Sequence, residues 1–339
     1  MPYHFKNLVF EGGGVKGIAY LGALEVLTEK NILPNIERVG GTSAGAINAV
    51  LLGLSFTLAE VREIMWSLDF NKFMDDSWGV VRDTARLIEK FGWYKGDFFR
   101  DWIGKLIKKK TGNANSTFAD IEAARATKGF KSLYFMGTNL STGFSEVFSA
   151  ERTPETRVAD AVRISMSIPL FFAAKRNARG DVYVDGGVLD NYPVKLFDRK
   201  RYLATVNYSV PPYYSKINTD FTAAGRDSDF VYNKETLGFR LDTREEISLF
   251  RDHEEPVHRK VDNFFDYSWA LIRTVLNAQE SLHLHSDDWM RTIYIDTLGV
   301  NTTDFNLTDQ KKNDLVKSGR DGAELYLKWY DNSETKANA

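Results

Sequence analysis

The sequence predicts an α/β protein in which a mainly parallel central sheet lies between two layers of helices. The first fifty residues alternate short apolar segments with helix-patterned ones, and such a βαβα unit places its strands parallel through a right-handed crossover. Further strand-like and amphipathic segments follow along the chain. The 339 residues are 43% hydrophobic and 27% charged, a balance typical of a globular chain with a sizeable core.

The N-terminal unit begins with a short apolar strand at 7–10. The loop 11–17 then opens a helix whose apolar positions recur at helical spacing as far as Lys30. A turn leads to a second strand at 36–40, and a helix of small and apolar residues covers 44–54. Because each strand is followed by a helix, the loops after the two strands should lie at the same edge of the sheet.

The later elements are assigned from the same helical and alternating patterns. Helices are predicted at 58–68, 80–91, 97–110, 159–164, 264–284 and 308–329, the last with Thr308 as its N-cap. Strands are predicted at 132–138, 146–148, 182–184, 202–206 and 291–295. The segment 211–258 is polar and irregular, which indicates an insertion or lid.

No clear linker divides the chain, so one domain with an elaboration is favoured over two independent domains. The predicted parts are a catalytic core at 5–207, a variable cap, lid or regulatory region at 208–290, a strand and helix at 291–331 that close the same domain, and a tail at 332–339.

Composition excludes several classes of function. The formal net charge is −2, so a nucleic-acid polymer as partner has no electrostatic support. With no cysteine, the chain has no disulfide, thiolate metal site or cysteine nucleophile, and a reducing compartment is favoured. The N-terminus lacks the layout of a signal peptide, and the longest apolar run is too short to span a membrane. We therefore expect a cytoplasmic protein.

The first chemical motif is Gly41-Thr42-Ser43-Ala44-Gly45 between the second strand and its helix. This G-x-S-x-G pattern is typical of an elbow that exposes a serine at the edge of a sheet. The glycines are needed because side chains beside such a tight turn would clash. Ser43 is the candidate nucleophile.

The second motif is the glycine loop after the first strand, which contains Gly12, Gly13, Gly14, Lys16 and Gly17. Its spacing also matches a dinucleotide-binding fingerprint, but the second strand does not end in the acidic residue that would hold the ribose. A P-loop lacks its Ser/Thr after the lysine. The remaining interpretations are an amide nest beside the serine, which forms an oxyanion hole, and a tight turn needed for packing alone.

A serine hydroxyl needs a proton acceptor before it attacks a carbonyl. Asp185 is the stronger candidate because it ends a strand and is followed by Gly186 and Gly187, and an apolar surrounding would raise its affinity for protons. Asp190 is treated as a polar or capping residue. A Ser-His-Asp triad remains the alternative, with five histidines in the chain: His4, His253, His258, His283 and His285.

Three segments resemble, in order and spacing, the signatures of patatin-like phospholipases: 12–17, 41–45 and 185–187. Segments 117–120, 165–169 and 191–193 match as well, and the resemblance covers about residues 5–207. It implies a patatin-like three-layer α/β/α fold and a Ser-Asp dyad with no histidine, metal or cofactor.

In that dyad Ser43 would be the nucleophile and Asp185 the base. The amides of Gly12, Gly13 and Gly14, helped by Lys16, would hold the oxyanion. Gly41, Gly45, Gly186 and Gly187 would be the motif glycines.

The expected function is a lipid acyl hydrolase that cleaves a phospholipid or lysophospholipid at a membrane surface. It would act as a peripheral enzyme, and an activating ligand or partner would regulate it, as for an effector that degrades membranes. The alternatives are an acyltransferase or triad esterase acting on soluble esters, and a lipid-binding protein without catalysis. Aromatic side chains (Trp66, Phe70, Phe73, Trp78, Phe264, Phe265 and Trp269) with Lys105, Lys108, Lys109 and Lys110 are the candidate membrane contacts, unless they are core residues and a solvated helix end.

Overall fold

The fold is known from a computed structural model, which describes residues 3–73, 91–226, 228–242, 287–302 and 304–332 and a few single positions between 261 and 274. Its main sheet has the strand order β12-β11-β1-β2-β4-β8-β7, and β5 pairs with the edge of β4 opposite to β2 and β8. The strands of this sheet are β1 Asn7–Phe10, β2 Arg38–Gly41, β4 Ser132–Asn139, β5 Phe144–Ser149, β7 Lys175–Arg176, β8 Val182–Asp185, β11 Thr236–Asp242 and β12 Thr292–Asp296.

The strands β12, β11, β1, β2 and β4 run parallel, whereas β5, β7 and β8 are antiparallel to their neighbours. Two small two-stranded sheets pair β3 Gly92–Tyr94 with β6 Leu170–Phe172 and β9 Tyr208–Ser209 with β10 Tyr232–Asn233. The α/β class, the mainly parallel sheet and the helices on both of its faces are as the sequence predicts.

The helices that the structure describes are α1 Tyr20–Glu29, α2 Ala44–Gly53, α3 Leu58–Ser67, α4 Asp97–Thr111, α5 Phe118–Ala123, α6 Arg125–Lys128, α7 Val158–Ser165, α8 Gly187–Asp190, α9 Pro212–Ala223 and α10 Asp309–Asp331. Short 3₁₀ turns cover 14–19, 33–35, 70–73, 194–197, 200–202 and 287–291. No helix among the described residues is both long enough and apolar enough to cross a bilayer.

The helix α2 is buried along its whole length, which explains why its ten residues are almost all small or apolar. The closing helix α10 begins as predicted, because the Thr308 side chain accepts a hydrogen bond from the Lys311 amide. It packs on α1 without room for side chains at the crossing, since a Cβ on Gly22 would overlap the backbone of α10 and one on Gly319 would overlap the Ala19 carbonyl just before α1. The two ends of the described chain are thereby joined in one core.

Two sequence predictions are wrong. The strand expected at 202–206 is absent, and a 3₁₀ turn ends there at Tyr202. The irregular insertion expected at 211–258 contains β11, which lies in the middle of the sheet between β1 and β12. The strand is hard to predict from its sequence, because Arg240 and Asp242 indicate a solvent-exposed segment. In the structure both residues are buried, and Arg240 Nε lies 3.0 Å from Asp242 Oδ2. The predicted helix at 80–91 and most of the one at 264–284 lie outside the described residues.

Candidate active site

Ser43 lies in the turn between β2 and α2 with φ 53° and ψ −124°, a backbone conformation that L-residues rarely adopt. The turn closes only around glycines. A Cβ on Gly41 would lie 2.5 Å from the carbonyl carbon of Gly45, and one on Gly45 would overlap the Phe10 carbonyl oxygen. The predicted elbow is therefore present, and it holds Ser43 at the N-terminus of a buried helix.

Asp185 ends β8 at the same edge of the sheet. On β4, Phe135 pairs with Gly41, the last residue of β2, and Gly137 pairs with Asp185. Asp185 therefore lies two residues beyond the end of β2. The Asp185 amide donates to the Ser167 carbonyl oxygen at 2.8 Å, and its Oδ1 accepts from the Gly187 amide at 2.8 Å. Ser43 and Asp185 are each only 5% exposed. The two predicted catalytic residues are thus brought together.

Burial raises the pKa of Asp185 to about 7, while the Gly187 amide and the nearby Ser43 hydroxyl lower it. The Oδ2 atom is buried, and no hydrogen-bond donor reaches it among the residues that the structure describes. A carboxylate with such a pKa is in part ionised at neutral pH and is basic enough to accept a proton. The electrostatics therefore suit a general base.

The Ser43 hydroxyl donates to the Met166 Sδ at 3.4 Å rather than to Asp185, and the Ser43 amide donates to the Ser165 Oγ at 3.0 Å. The Ser43 hydroxyl nevertheless lies close enough to the Asp185 carboxyl to lower its pKa. The segment 165–169 matches the family pattern, but its sequence alone indicates no role for it. Ser165, the last residue of α7, and Met166 contact the nucleophile directly.

The glycine loop adjoins the serine, since a Cβ on Gly12 would lie 3.0 Å from the Ser43 Cβ. The prediction that Gly12 is a free oxyanion donor is wrong, because its amide donates to the Asn191 carbonyl oxygen at 3.1 Å and its carbonyl accepts from the Asn191 side chain at 3.3 Å. The amides of Gly13 and Gly14 donate no backbone hydrogen bond to any residue in the described ranges. Those two amides remain the candidate oxyanion donors.

Lys16 lies against the same loop, with its Cε 3.3 Å from the position that a Gly13 Cβ would take. Gly14 has φ +56°, and a Cβ there would overlap the Thr302 carbonyl oxygen, so the loop needs glycine at this position. Gly186 is likewise required, because its Cβ would lie 2.6 Å from the backbone of Met136. Gly187 supplies the amide that binds Asp185.

Of the five histidines, only His4 lies among the described residues, and it precedes β1 at the opposite edge of the sheet. His253, His258, His283 and His285 lie outside them. Asp190 connects the site to the elbow through its backbone, since its carbonyl accepts from the Thr42 hydroxyl at 3.0 Å. The part of the chain that the structure describes contains no group of three His, Asp or Glu side chains suited to a metal ion.

The family model described as patatin-like phospholipase matches residues 8–198. An uncharacterised protein of Bacillus subtilis strain 168, YqhO, is 31% identical over 333 residues, which are 94% of this chain and 97% of the relative. The mouse 1-acylglycerol-3-phosphate O-acyltransferase Pnpla3 is 30% identical over 246 residues, or 71% of this chain and 52% of that protein.

The fold is similar to the crystal structure of VipD from Legionella pneumophila, with a TM-score of 0.60 and 20% identity. The superposition covers 95% of this chain and 66% of that one. At this identity the likeness concerns the fold alone.

Proposed function

The chain belongs to the patatin-like phospholipase family, and from that membership and the site geometry we propose that it is a lipid acyl hydrolase working through a Ser43–Asp185 dyad. The observation that carries the proposal is the free, buried Oδ2 of Asp185 beside an elbow serine, with the pKa of that carboxyl raised to about 7. The substrate class is a fatty acyl ester of a glycerophospholipid or lysophospholipid.

In the proposed reaction the Ser43 Oγ attacks the ester carbonyl carbon while its proton passes to Asp185 Oδ2. The amides of Gly13 and Gly14 stabilise the tetrahedral oxyanion, and Lys16 adds positive charge nearby. Collapse of this intermediate expels the alcohol, which takes the proton from Asp185, and leaves an acyl-enzyme. Water then attacks the acyl-enzyme with Asp185 as its base, which releases the fatty acid and restores Ser43.

The conformation described above is proposed to be a resting one. Ser43 is 5% exposed, its hydroxyl is directed to Met166, and an ester must reach it before attack. A lipid surface, ligand or partner that moves Met166 would therefore activate the enzyme, in keeping with a regulated membrane-degrading effector.

The test of the activity is mass spectrometry of lipids after incubation with phosphatidylcholine or lysophosphatidylcholine vesicles. We expect free fatty acid and the matching deacylated lipid in equal amounts. An acyltransferase is the second candidate, because the mouse relative carries that name. With lysophosphatidic acid added as acceptor, a transferase would instead give diacylated product without free fatty acid, and the hydrolase proposal would fail.

The pH dependence of activity is a further expectation. Because the dyad needs the ionised form of Asp185, kcat/KM on a soluble ester should rise with pH through about 7 and level off above it. Burial also raises the pKa of Asp190 to about 7, so Asp190→Asn is the matched control and should leave the midpoint in place. A profile that is flat from pH 5 to 9 would contradict the assignment of Asp185. So would a profile whose midpoint disappears in the Asp190→Asn control.

A further inference from the structure

Two neighbouring turns stand beyond the catalytic edge of the sheet. The turn 140–143 joins β4 to β5, and the turn 177–181 joins β7 to β8. Asn139 pairs with Tyr183, and Gly137 pairs with Asp185, so Asn139 lies two residues further along β4 than Asp185. At the rise of a strand, both turns therefore begin about 7 Å further out from the centre of the sheet than Asp185. The Leu140 amide donates to the Val182 carbonyl oxygen at 2.8 Å, which ties the two turns together. We call residues 140–144 and 176–180 the hairpin platform.

The platform exposes large apolar side chains at the site's own edge. Phe144 is 70% exposed and Leu140 is 53% exposed. Phe91 is 45% exposed and lies under the guanidinium of Arg176, with 5.7 Å between the Arg176 Cζ and the ring centroid. Solvent-exposed leucine and phenylalanine at a hairpin turn, where polar residues are usual, indicate a surface that meets an apolar partner.

A polar network beneath holds the platform in shape. Asn139 Oδ1 accepts from the amides of Ser141 at 3.0 Å and Thr142 at 3.2 Å, and Asn139 Nδ2 donates to Glu146 at 2.8 Å. The Tyr183 hydroxyl donates to the same carboxylate at 2.8 Å. Because the turns are ordered in advance, inserting Leu140 and Phe144 into a partner costs little conformational entropy.

The charge on the platform is basic at its surface. Arg176 and Arg179 are both exposed, and neither forms an ion pair with a carboxylate in the described ranges. The nearby carboxylates of Glu146 and Asp181 are instead bound from within by Asn139, Asn177 and Tyr183. Apolar side chains flanked by unpaired arginines match a lipid surface with anionic head groups.

Of the membrane contacts expected from the sequence, those that the structure describes offer no comparable surface at this edge. Lys109 and Lys110 pair with Glu60, and the Lys110 amine donates to the carbonyl oxygen of Ser55, which follows the far end of α2 from Ser43. That end is about 15 Å away along the helix. Phe73 is buried and Trp66 is half-buried. The side chains of Phe70, Trp78, Phe264, Phe265 and Trp269 lie outside the description.

We infer that the hairpin platform is the membrane-docking surface of this protein. Leu140 and Phe144 insert among the acyl chains while Arg176 and Arg179 contact anionic head groups. Docking in this orientation sets the Ser43–Asp185 edge against the bilayer, where an acyl ester reaches it. This inference rests on the proposed lipid acyl hydrolase function.

The test is sedimentation with vesicles of phosphatidylcholine alone or mixed with phosphatidylglycerol, in a Ser43→Ala background that leaves the lipids intact. We expect Leu140→Ser with Phe144→Ser to lower vesicle affinity at least tenfold on both compositions. Arg176→Gln and Arg179→Gln should each lower the affinity for the mixed vesicles about fivefold, without an effect on phosphatidylcholine vesicles, and the loss should be smaller at high salt. With Ser43 restored, hydrolysis of p-nitrophenyl butyrate should be unchanged, which shows that the variants are folded.

Two control variants are matched to these changes. Val206→Ser removes an apolar side chain that is 90% exposed near Thr205, whose amide binds Glu235 at the start of β11, on the opposite edge of the sheet. Lys105→Gln with Lys108→Gln removes two positive charges from the exposed face of α4. Both controls should bind vesicles like the parent.

The inference is overturned if the platform variants bind vesicles normally, or if the controls lose as much affinity. It is also overturned if light scattering shows a dimer that only the platform variants disrupt, because the occupant is then a second copy of the chain. Vesicle binding that depends on the platform in a protein without ester hydrolysis would support the surface and overturn only the proposed function.

Discussion

Ser43→Ala should lower the hydrolysis of a p-nitrophenyl ester at least about a thousandfold while leaving the fold intact. The expected loss is large because no other described nucleophile lies beside Asp185 Oδ2 and the glycine loop. The free energy of unfolding should change by no more than about 1 kcal/mol, since the hydroxyl's one hydrogen bond within the described part of the chain is the long one to the Met166 sulfur.

Ser55→Ala is the matched control for this variant. Ser55 also has a positive φ, 57°, and lies after the opposite end of α2, where its hydroxyl donates to Gly129. The control loses the same atom from a residue that also has a positive φ, and it should keep full activity. An active Ser43→Ala enzyme would remove Ser43 from the mechanism, and an inactive control would show that folding rather than chemistry is being measured.

Asp185→Asn should lower activity as much as Ser43→Ala does, and it should raise the stability of the fold at neutral pH. The amide cannot accept the Ser43 proton, so we expect activity to fall by roughly a thousandfold or more. Its oxygen can still accept the Gly187 amide, so the turn is retained. Loss of activity with retained structure is the signature expected of a base.

The sign of the stability change follows from the pKa of Asp185. The folded value of about 7 lies above the unfolded one near 3.8, so the folded state binds more protons between these values and stability falls as pH rises. At neutral pH the variant should therefore be more stable than the parent by up to about 4 kcal/mol, with no gain below pH 4. Thermal unfolding at the two pH values measures this.

Asp190→Asn again supplies the control, because its carboxyl has a pKa raised in the same direction by burial. It should gain stability at neutral pH yet keep its activity. If Asp185→Asn remained active while replacement of one of the four late histidines abolished activity, the dyad would be replaced by a triad.

The sequence is a good predictor of this site because glycines at strand ends leave recognisable patterns. Ser43 and Asp185 were placed at the right edge from their positions after short apolar strands. The partners that orient them were not foreseen, because they depend on tertiary contacts. The Asn191 carbonyl binds the Gly12 amide, which is then no donor in the proposed oxyanion hole, and the Met166 sulfur binds the serine hydroxyl, although neither residue lies near its target in sequence.

The same limit applies to the fold. The parallel arrangement of β1, β2 and β4 follows from local alternation of strand and helix. The strand β11 does not, since its charged residues are neutralised by a buried ion pair that only the folded state provides. Without that pairing, a segment containing Arg240 and Asp242 is read as solvated.

The position of β11 in the strand order affects how the polypeptide folds during its synthesis. When the ribosome has made the segment that matches the family model, 8–198, the β1 strand has a partner on one side only. Its other row of amide and carbonyl groups stays open until residues 236–242 emerge, and β12 follows some fifty residues later. A nascent chain with an unpaired apolar strand edge is prone to aggregation. The glycine loop that follows β1 is thus completed only after residues 236–302 have been made, and the edge that carries Ser43 forms late relative to its own synthesis.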